Sequence, residues 1–295
     1  MKPERTQTRP EWARQRQPSP PNFGRAKRVP RWRLALETWN RRGNCARIIK
    51  NSASYCESEP GLVSLVILSC KRLPELRRLC ETVVPFFSET ETAARLEKIL
   101  VDNGSGPALI DYARGLDFFD EIVAHSSNIG MAAALNDAFP KCRGEYILLL
   151  EDDFILEYPE PFLQRCVAIF SEYPEIGIIR LKNQNNWGKP FRRIAPLRTT
   201  SEGIEFWTWL PSADGEMNVW TSGSVLFRKV SFFSADSIPV GPNVSRDHAL
   251  HQGFLYERVY SRRYNKIWLA AKIKDCYPFV QPNDNDDSPG WGEVE

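Results

Sequence analysis

Between residues 62 and 181 the sequence alternates apolar runs with helical patterns, and this alternation limits the fold more than any other feature. Leu62–Ser69 is rich in Val, Ile and Leu, as expected of a strand covered on both faces. Pro74 then opens a helix with apolar residues at helical spacing, which we expect to end at Pro85. The alternation continues with predicted strands at 98–101, 121–124, 145–150 and 176–181 and predicted helices at 107–116, 130–139 and 161–173. Strands separated by helices predict right-handed crossovers and a mainly parallel sheet.

Polar residues follow the first four predicted strands at the points where the strands end. They are Ser69-Cys70-Lys71-Arg72, Asp102, Ser126-Ser127-Asn128 and Glu151-Asp152-Asp153. Ligands of open parallel sheets bind beyond the carboxyl ends of the strands. We therefore expect these four groups to share one binding edge.

The acidic triplet Glu151-Asp152-Asp153 directly follows a buried strand. Three adjacent carboxylates repel one another unless a cation or hydrogen-bond donors neutralise them. Mg²⁺ or Mn²⁺ suits such oxygen ligands, and these ions usually complete their shell with substrate phosphates. The alternative is an acidic loop, or an N-cap of the helix that follows.

Charge and composition exclude several classes of protein. With 42% apolar and 26% charged residues the chain is neither collagen-like nor wholly disordered, and no apolar run approaches a membrane span. Residues 1–50 hold 14 of the 39 Lys and Arg but only 3 of the 37 Asp and Glu. Seven scattered cysteines without CxxC spacing, and no apolar leader, predict reduced thiols in a cytoplasmic protein. The basic segment is either a solvated tail or an arm for anionic lipid, at the inner face of a membrane, with nucleic acid the less favoured partner.

Four segments together resemble the nucleotide-binding half of family 2 glycosyltransferases with the GT-A fold. They are Val63–Arg72, Ile99–Ser105, Asn128–Asn136 and Gly144–Asp153. The likeness covers residues 61–182 well and 218–260 loosely, and the EDD form of the acidic motif resembles that of N-acetylglucosaminyltransferase I-type enzymes. The resemblance implies a GT-A-like three-layer α/β/α sandwich with a mainly parallel, Rossmann-like central sheet.

The resemblance also implies roles for residues at the predicted edge. Asp102 would accept a hydrogen bond from the nucleotide base, and Asn128 and Gly130 would lie beside the base and ribose. Ser69 and Arg72 would lie near the nucleoside or its diphosphate. Glu151 and Asp152 would face the ribose and the donor sugar, and Asp153 would bind Mn²⁺ or Mg²⁺. From the residues alone, the less favoured alternatives are a simple turn at Asp102-Asn103-Gly104 and a helix cap at Asn128.

The region after Asn183 is expected to hold the acceptor site. Trp220 and Gly223 resemble the family's segment behind the acceptor, although such a tryptophan is often a core residue. Asp247 matches the position of the family's general base, but Arg246 stands where the family usually has an acid, and an N-cap role is the alternative. His248 and His251 are further candidates near the metal, or ordinary cap and surface residues.

These observations predict four segments: a basic, Pro-rich arm and lead-in helix (1–60), a nucleotide-sugar half (61–182), an acceptor and catalytic-base half (183–280) and an acidic tail (281–295). The predicted function is metal-dependent transfer of a sugar, with inversion, from a nucleotide-diphosphate sugar to a carbohydrate, lipid-linked or protein acceptor. A non-catalytic nucleotide-sugar-binding or adaptor protein is the alternative. A sugar-nucleotide pyrophosphorylase is less favoured, since no Gly-rich loop follows the first strand.

Overall fold

A computed structural model describes residues 27–28, 30–89, 95–182, 193–194, 197–209, 220, 223–240 and 255–282. Its strands are β1 Lys27–Arg28, β2 Glu59–Ser69, β3 Arg95–Asn103, β4 Glu121–His125, β5 Gly144–Glu151, β6 Ile155–Leu156, β7 Ile176–Arg180, β8 Arg193–Ile194, β9 Arg198–Thr199, β10 Glu205–Trp209, β11 Val225–Arg228, β12 Leu269–Ile273 and β13 Phe279–Val280. Its helices are α1 Arg31–Lys50, α2 Leu73–Glu89, α3 Pro107–Gly115, α4 Met131–Lys141, α5 Phe162–Glu172, α6 Lys229–Phe233 and α7 Leu255–Ile267. The predicted alternation of strand and helix is confirmed.

One large sheet runs through the molecule. Its strands lie in the order β4-β3-β2-β5-β11-β7-β12-β10, and β8 and β1 continue beyond β10. The strands β2, β3, β4 and β5 pair in parallel, as do β7 and β12. Strand β11 runs antiparallel between β5 and β7, and β10 runs antiparallel to β12 and β8. The predicted mainly parallel sheet is therefore correct.

Alternate side chains of β2 enter two separate cores, one on each face of the sheet. Val63, Leu65 and Ile67 pack with residues of α2, α3 and α5. Val66 and Leu68 pack on the opposite face with residues of α4, α6 and α7. Helices cover both faces, so the chain forms the predicted three-layer sandwich.

The predicted end of the second helix at Pro85 is wrong. Helix α2 continues through Pro85 to Glu89, although an internal proline removes a hydrogen bond and costs about 3 kcal/mol. Phe86 stacks on Phe162 at 6.0 Å between ring centroids, and Phe87 is buried beside both rings. Packing of these two aromatic side chains, Phe87 buried and Phe86 partly buried, offsets the local cost of the proline.

Both predicted halves contribute to the same sheet, because β10, β11 and β12 come from residues 183–280. The expected lead-in helix is present as α1. All seven cysteines are free thiols, and six of them are buried. No helix among the described residues is long and apolar enough to cross a membrane.

Candidate functional site

The ends of three central strands bring predicted site residues side by side. Ser69 on β2 is in register with Asp102 on β3, and its neighbour Leu68 is in register with Glu151 on β5. The strands are parallel, so their carboxyl ends meet at one edge of the sheet. The predicted convergence at this edge is confirmed.

Asp152 is the most deeply placed carboxylate of the acidic triplet, and it is fully buried. Ser69 Oγ donates a hydrogen bond to Asp152 Oδ2 at 2.8 Å, and Arg72 Nη2 lies 2.7 Å from Asp152 Oδ1. Burial raises the pKa of Asp152 to about 6, although Arg72 and Ser69 act in the opposite direction. Asp152 Oδ2 is thus engaged by a hydrogen bond and Asp152 Oδ1 by the ion pair alone, and the side chain holds the loop and Arg72 in place.

Asp153 differs from Asp152 because one of its oxygens is not engaged. Arg72 Nη1 lies 3.3 Å from Asp153 Oδ2, and Gln281 Nε2 donates to the same oxygen at 2.8 Å. Asp153 Oδ1 is buried and has no hydrogen-bond partner in the described part of the chain. A buried carboxylate oxygen without a donor fits a hard cation.

The acidic triplet is neither an N-cap nor a complete metal cage. Helix α5 begins at Phe162 after Pro161, with β6 between the triplet and the helix, so the N-cap alternative is wrong. Within the described ranges, no group of three His, Cys, Asp or Glu side chains converges to hold a metal ion. A cation here would depend on Asp153 together with ligands from outside that set.

Gln281 belongs to this site, although it was expected to begin an acidic tail. Its side-chain oxygen accepts a hydrogen bond from Lys182 Nζ while its nitrogen donates to Asp153. Lys182 is in turn held through its carbonyl oxygen, which accepts a hydrogen bond from the buried Lys272 Nζ at 2.6 Å. The sequence carries no local signal for this contact, because Gln281 lies 128 residues from Asp153.

The loop after β3 is built around Asp102 and Asn103. The backbone N–H of Ser105 donates to both oxygens of the buried Asp102, at 3.1 and 3.2 Å. Asn103 Nδ2 donates to Asn128 Oδ1 at 2.9 Å, and Asn103 Oδ1 accepts from Ile129 N–H at 2.9 Å. Asp102 therefore does stabilise the turn, which leaves its predicted contact with a base untested.

Asn128 and Gly130 form the facing loop, which precedes α4. Asn128 Oδ1 accepts the N–H of Gly130 at 2.9 Å, and Gly130 is the N-cap residue of the helix. Asn128 is therefore not the helix cap, and it links the loops after β3 and β4. Both Asn128 and Gly130 are exposed at the sheet edge.

Gly104 allows these two loops to touch. Its φ is +79°, and a Cβ atom there would lie 2.3 Å from Ser127 C and 2.4 Å from Asn128 N. A side chain would overlap the backbone of the facing loop. The close approach explains why a glycine occupies this position.

The two predicted acceptor residues differ in position. Gly223 is half-buried and precedes β11, whose first residue Val225 pairs with Leu149 near the end of β5. Gly223 thus lies at the same edge as the acidic triplet. Trp220 is fully buried and packs edge-on against Tyr260 at 5.0 Å, so the structure gives it a core position and not an open face for a sugar.

The predicted base Asp247 and the candidates His248 and His251 lie outside the described residues. Their roles remain predictions.

The sequence matches the profile of "Glycosyl transferase family 2" over residues 64–232, which is more than half of the chain. The chain belongs to this family, and glycosyl transfer is the general class of reaction that the family's description gives. No functionally curated protein matches the sequence.

Among solved structures, the chain resembles S. aureus TarS 1-349 in complex with UDP, with a TM-score of 0.51 and 12% identity over 74% of this chain and 60% of that one. The same protein in complex with UDP-GlcNAc gives a TM-score of 0.51 and 12% identity over 74% and 58% of the two chains. The chain thus spans about three-fifths of the length of these TarS structures. The likeness confirms the predicted GT-A-like fold.

Proposed function

We propose that this protein transfers a sugar from a nucleotide-diphosphate sugar to an acceptor hydroxyl group, using a divalent cation and inverting the anomeric carbon. The observation that carries the proposal is the row of Ser69, Asp102 and Glu151 at one sheet edge, beside a buried Asp153 oxygen that has no described partner. Membership of family 2 supports the transfer of a glycosyl group.

Asp153 is the residue that we expect to hold the cation. Mg²⁺ or Mn²⁺ is commonly bound through one or two carboxylates, with substrate phosphates and water as the other ligands. One carboxylate oxygen is therefore sufficient on the protein side. A bound cation would stabilise the negative charge that develops on the diphosphate as the glycosidic bond breaks.

Arg72 is the second group that we expect to face the diphosphate. Its guanidinium is oriented by Asp152 and Asp153, and its side chain is 28% exposed, so it can reach a ligand. A guanidinium carries five N–H donors, so Arg72 keeps donors for a phosphate beyond those directed at the two carboxylates. In this proposal Asp152 acts by positioning Arg72, since its own oxygens are engaged and buried.

The loops after β3 and β4 are expected to receive the nucleoside, through Asp102, Asn128 and Gly130. TarS has been solved with UDP and with UDP-GlcNAc, so uridine nucleotides are the first donors to test. Gly223 is assigned to the acceptor side of the edge. The acceptor itself stays open among carbohydrate, lipid-linked and protein hydroxyl groups.

The test is a screen of nucleotide sugars for Mn²⁺-dependent release of nucleoside diphosphate. Asp153→Asn should lower release at least about 100-fold while the circular dichroism spectrum is unchanged, because a ligand is lost and not a core residue. Asp117→Asn is the matched control, because Asp117 is exposed in the turn between α3 and β4, at the opposite edge. Undiminished activity in EDTA, or in Asp153→Asn, would exclude the cation role. Nucleotide-sugar binding without any turnover would favour the adaptor alternative.

Asp247 is the proposed general base, because an acceptor hydroxyl must lose its proton as it attacks. Asp247→Asn should lower turnover by about 10²–10⁴ and leave donor affinity nearly unchanged. NMR analysis of the product should show the anomeric configuration opposite to that of the donor. Retention of configuration, or full turnover by the variant, would remove Asp247 from the mechanism.

A further inference from the structure

Helix α1 presents a strip of large apolar side chains to solvent. Trp32 is 69% exposed, Leu36 55% and Trp39 81%. Their spacing of four and three residues places them on one face of the helix. The other tryptophans whose side chains the structure describes, Trp207, Trp220 and Trp268, are buried or half-buried.

The opposite face of α1 attaches the helix to the domain. Arg41 Nη1 donates to the carbonyl of Asn265 at 2.7 Å, and Cys45 is fully buried with its Sγ 3.3 Å from the carbonyl of Ile267. Ile48 and Ile49 pack against the core on that side. The helix is therefore held in place without using the exposed strip, which we name the Trp32/Leu36/Trp39 strip.

Basic residues outnumber acidic ones around the strip. The exposed charged residues of α1 are Arg31, Arg42, Arg47 and Lys50. Its one acid, Glu37, is half-buried and lies 3.5 Å from Arg41. The preceding 30 residues add eight Lys and Arg against two Glu. The strip is thus apolar in its middle and basic at its margins.

We propose that the Trp32/Leu36/Trp39 strip is a docking surface for an anionic phospholipid membrane. Tryptophan prefers the headgroup level of a bilayer, and a helix with an apolar strip and basic margins lies flat in that interface. Basic side chains near an anionic surface add electrostatic attraction. This proposal assigns the expected membrane contact of the basic N-terminal segment to one face of α1. It does not depend on the proposed transfer reaction.

Two other occupants fit the observations less well. A second copy of the chain would bring two basic margins together, and like charges repel across an interface. A nucleic acid would satisfy the basic residues but would leave Leu36, between the two indoles, without an apolar environment. The lipid interface supplies both an apolar layer and negative charge.

The test is flotation of the full chain with vesicles of phosphatidylcholine alone or with about one-third phosphatidylserine. The full chain should float with the anionic vesicles and much less with neutral ones, and added salt should weaken binding. The triple variant Trp32→Ser, Leu36→Ser, Trp39→Ser should bind more than about tenfold more weakly, with an unchanged circular dichroism spectrum. The matched control Leu197→Ser, Val240→Ser removes exposed apolar side chains elsewhere and should bind like the unmodified chain.

Three results would overturn the proposal: no binding of the full chain to anionic vesicles, equal binding by the triple variant, or an equal loss in the control. Light scattering and an oligonucleotide shift assay complete the design. The full chain could fail to float with vesicles and instead associate with itself or bind nucleic acid. If the triple variant loses that property, the strip belongs to that other occupant.

Discussion

Substitution of Gly104 by alanine should destabilise the protein and disturb the nucleotide side of the site. Two costs add at this position. An alanine at a φ of +79° is strained by about 1–2 kcal/mol. Its Cβ would also lie 2.3–2.7 Å from backbone atoms of Ser127 and Asn128, which must move apart, and overpacking of this kind costs about 1–3 kcal/mol. The expected loss in the free energy of unfolding is about 2–5 kcal/mol.

Gly203→Ala is the matched control for the backbone strain. Gly203 has a φ of +84°, and a Cβ there would meet nothing within 4 Å. Both substitutions also remove the same conformational freedom from the unfolded chain, so that effect cancels in the comparison. The difference between the two variants, about 1–3 kcal/mol, therefore measures the contact between the two loops alone.

Urea denaturation with linear extrapolation measures both free energies of unfolding. Gly104→Ala should also bind the donor nucleotide more weakly than Gly203→Ala, because it displaces the loop that carries Asn128. Two variants that agree within about 0.5 kcal/mol and bind nucleotide equally would refute the reasoning. The facing loop would then be able to move away from an alanine at this position at little cost, and Gly104 would be required only for its positive φ.

Two further predictions concern the acidic triplet. The pKa of Asp152 is raised from 3.8 to about 6, so its ionisation opposes folding, and the stabilising effect of its protonated form is lost as pH rises from about 4 through 6. The test compares the wild type with Asp152→Asn in the presence of a chelator. Between pH 4 and pH 7, the free energy of unfolding of the wild type should fall by up to about 3 kcal/mol relative to that of the variant. Urea titrations that show no fall, or a rise, would contradict this prediction. Gln281→Leu removes the hydrogen-bond donor to Asp153 and the acceptor for Lys182. The Mn²⁺ concentration for half-maximal binding of the nucleotide sugar should therefore rise about fivefold or more. Gln281→Glu adds a carboxylate and should lower that concentration. Calorimetric titration measures both, and an unchanged Mn²⁺ requirement in the two variants would show that Gln281 does not position Asp153.

The positions of Ser69, Asp102 and Glu151 could be predicted because they depend on local pattern. A short apolar run bounded by turn signals predicts a buried strand, and the last residue of that strand reaches the sheet edge. Since parallel strands end together, the order of strands and helices along the chain was enough to bring these residues into register. The acidic triplet was found for the same reason, as it directly follows the apolar run of β5.

Other features depended on contacts between distant parts of the chain. The helix through Pro85 persists because Phe86 meets Phe162, and Trp220 is a core residue because Tyr260 packs against it. Neither partner can be read from the residues nearby.

The sequence by itself determined the layered α/β architecture, the sheet edge at which the polar residues meet and the chemical nature of those residues, because each follows from periodicity and charge within a few residues. Only the tertiary structure decided how those groups are used. It engaged both oxygens of Asp152, left one oxygen of Asp153 without a described partner, and brought Gln281 to Asp153 across 128 residues. The physical reason is that hydrogen bonding and burial at the site depend on distances between side chains from separate segments, and those distances exist only after the sheet and its flanking helices have packed.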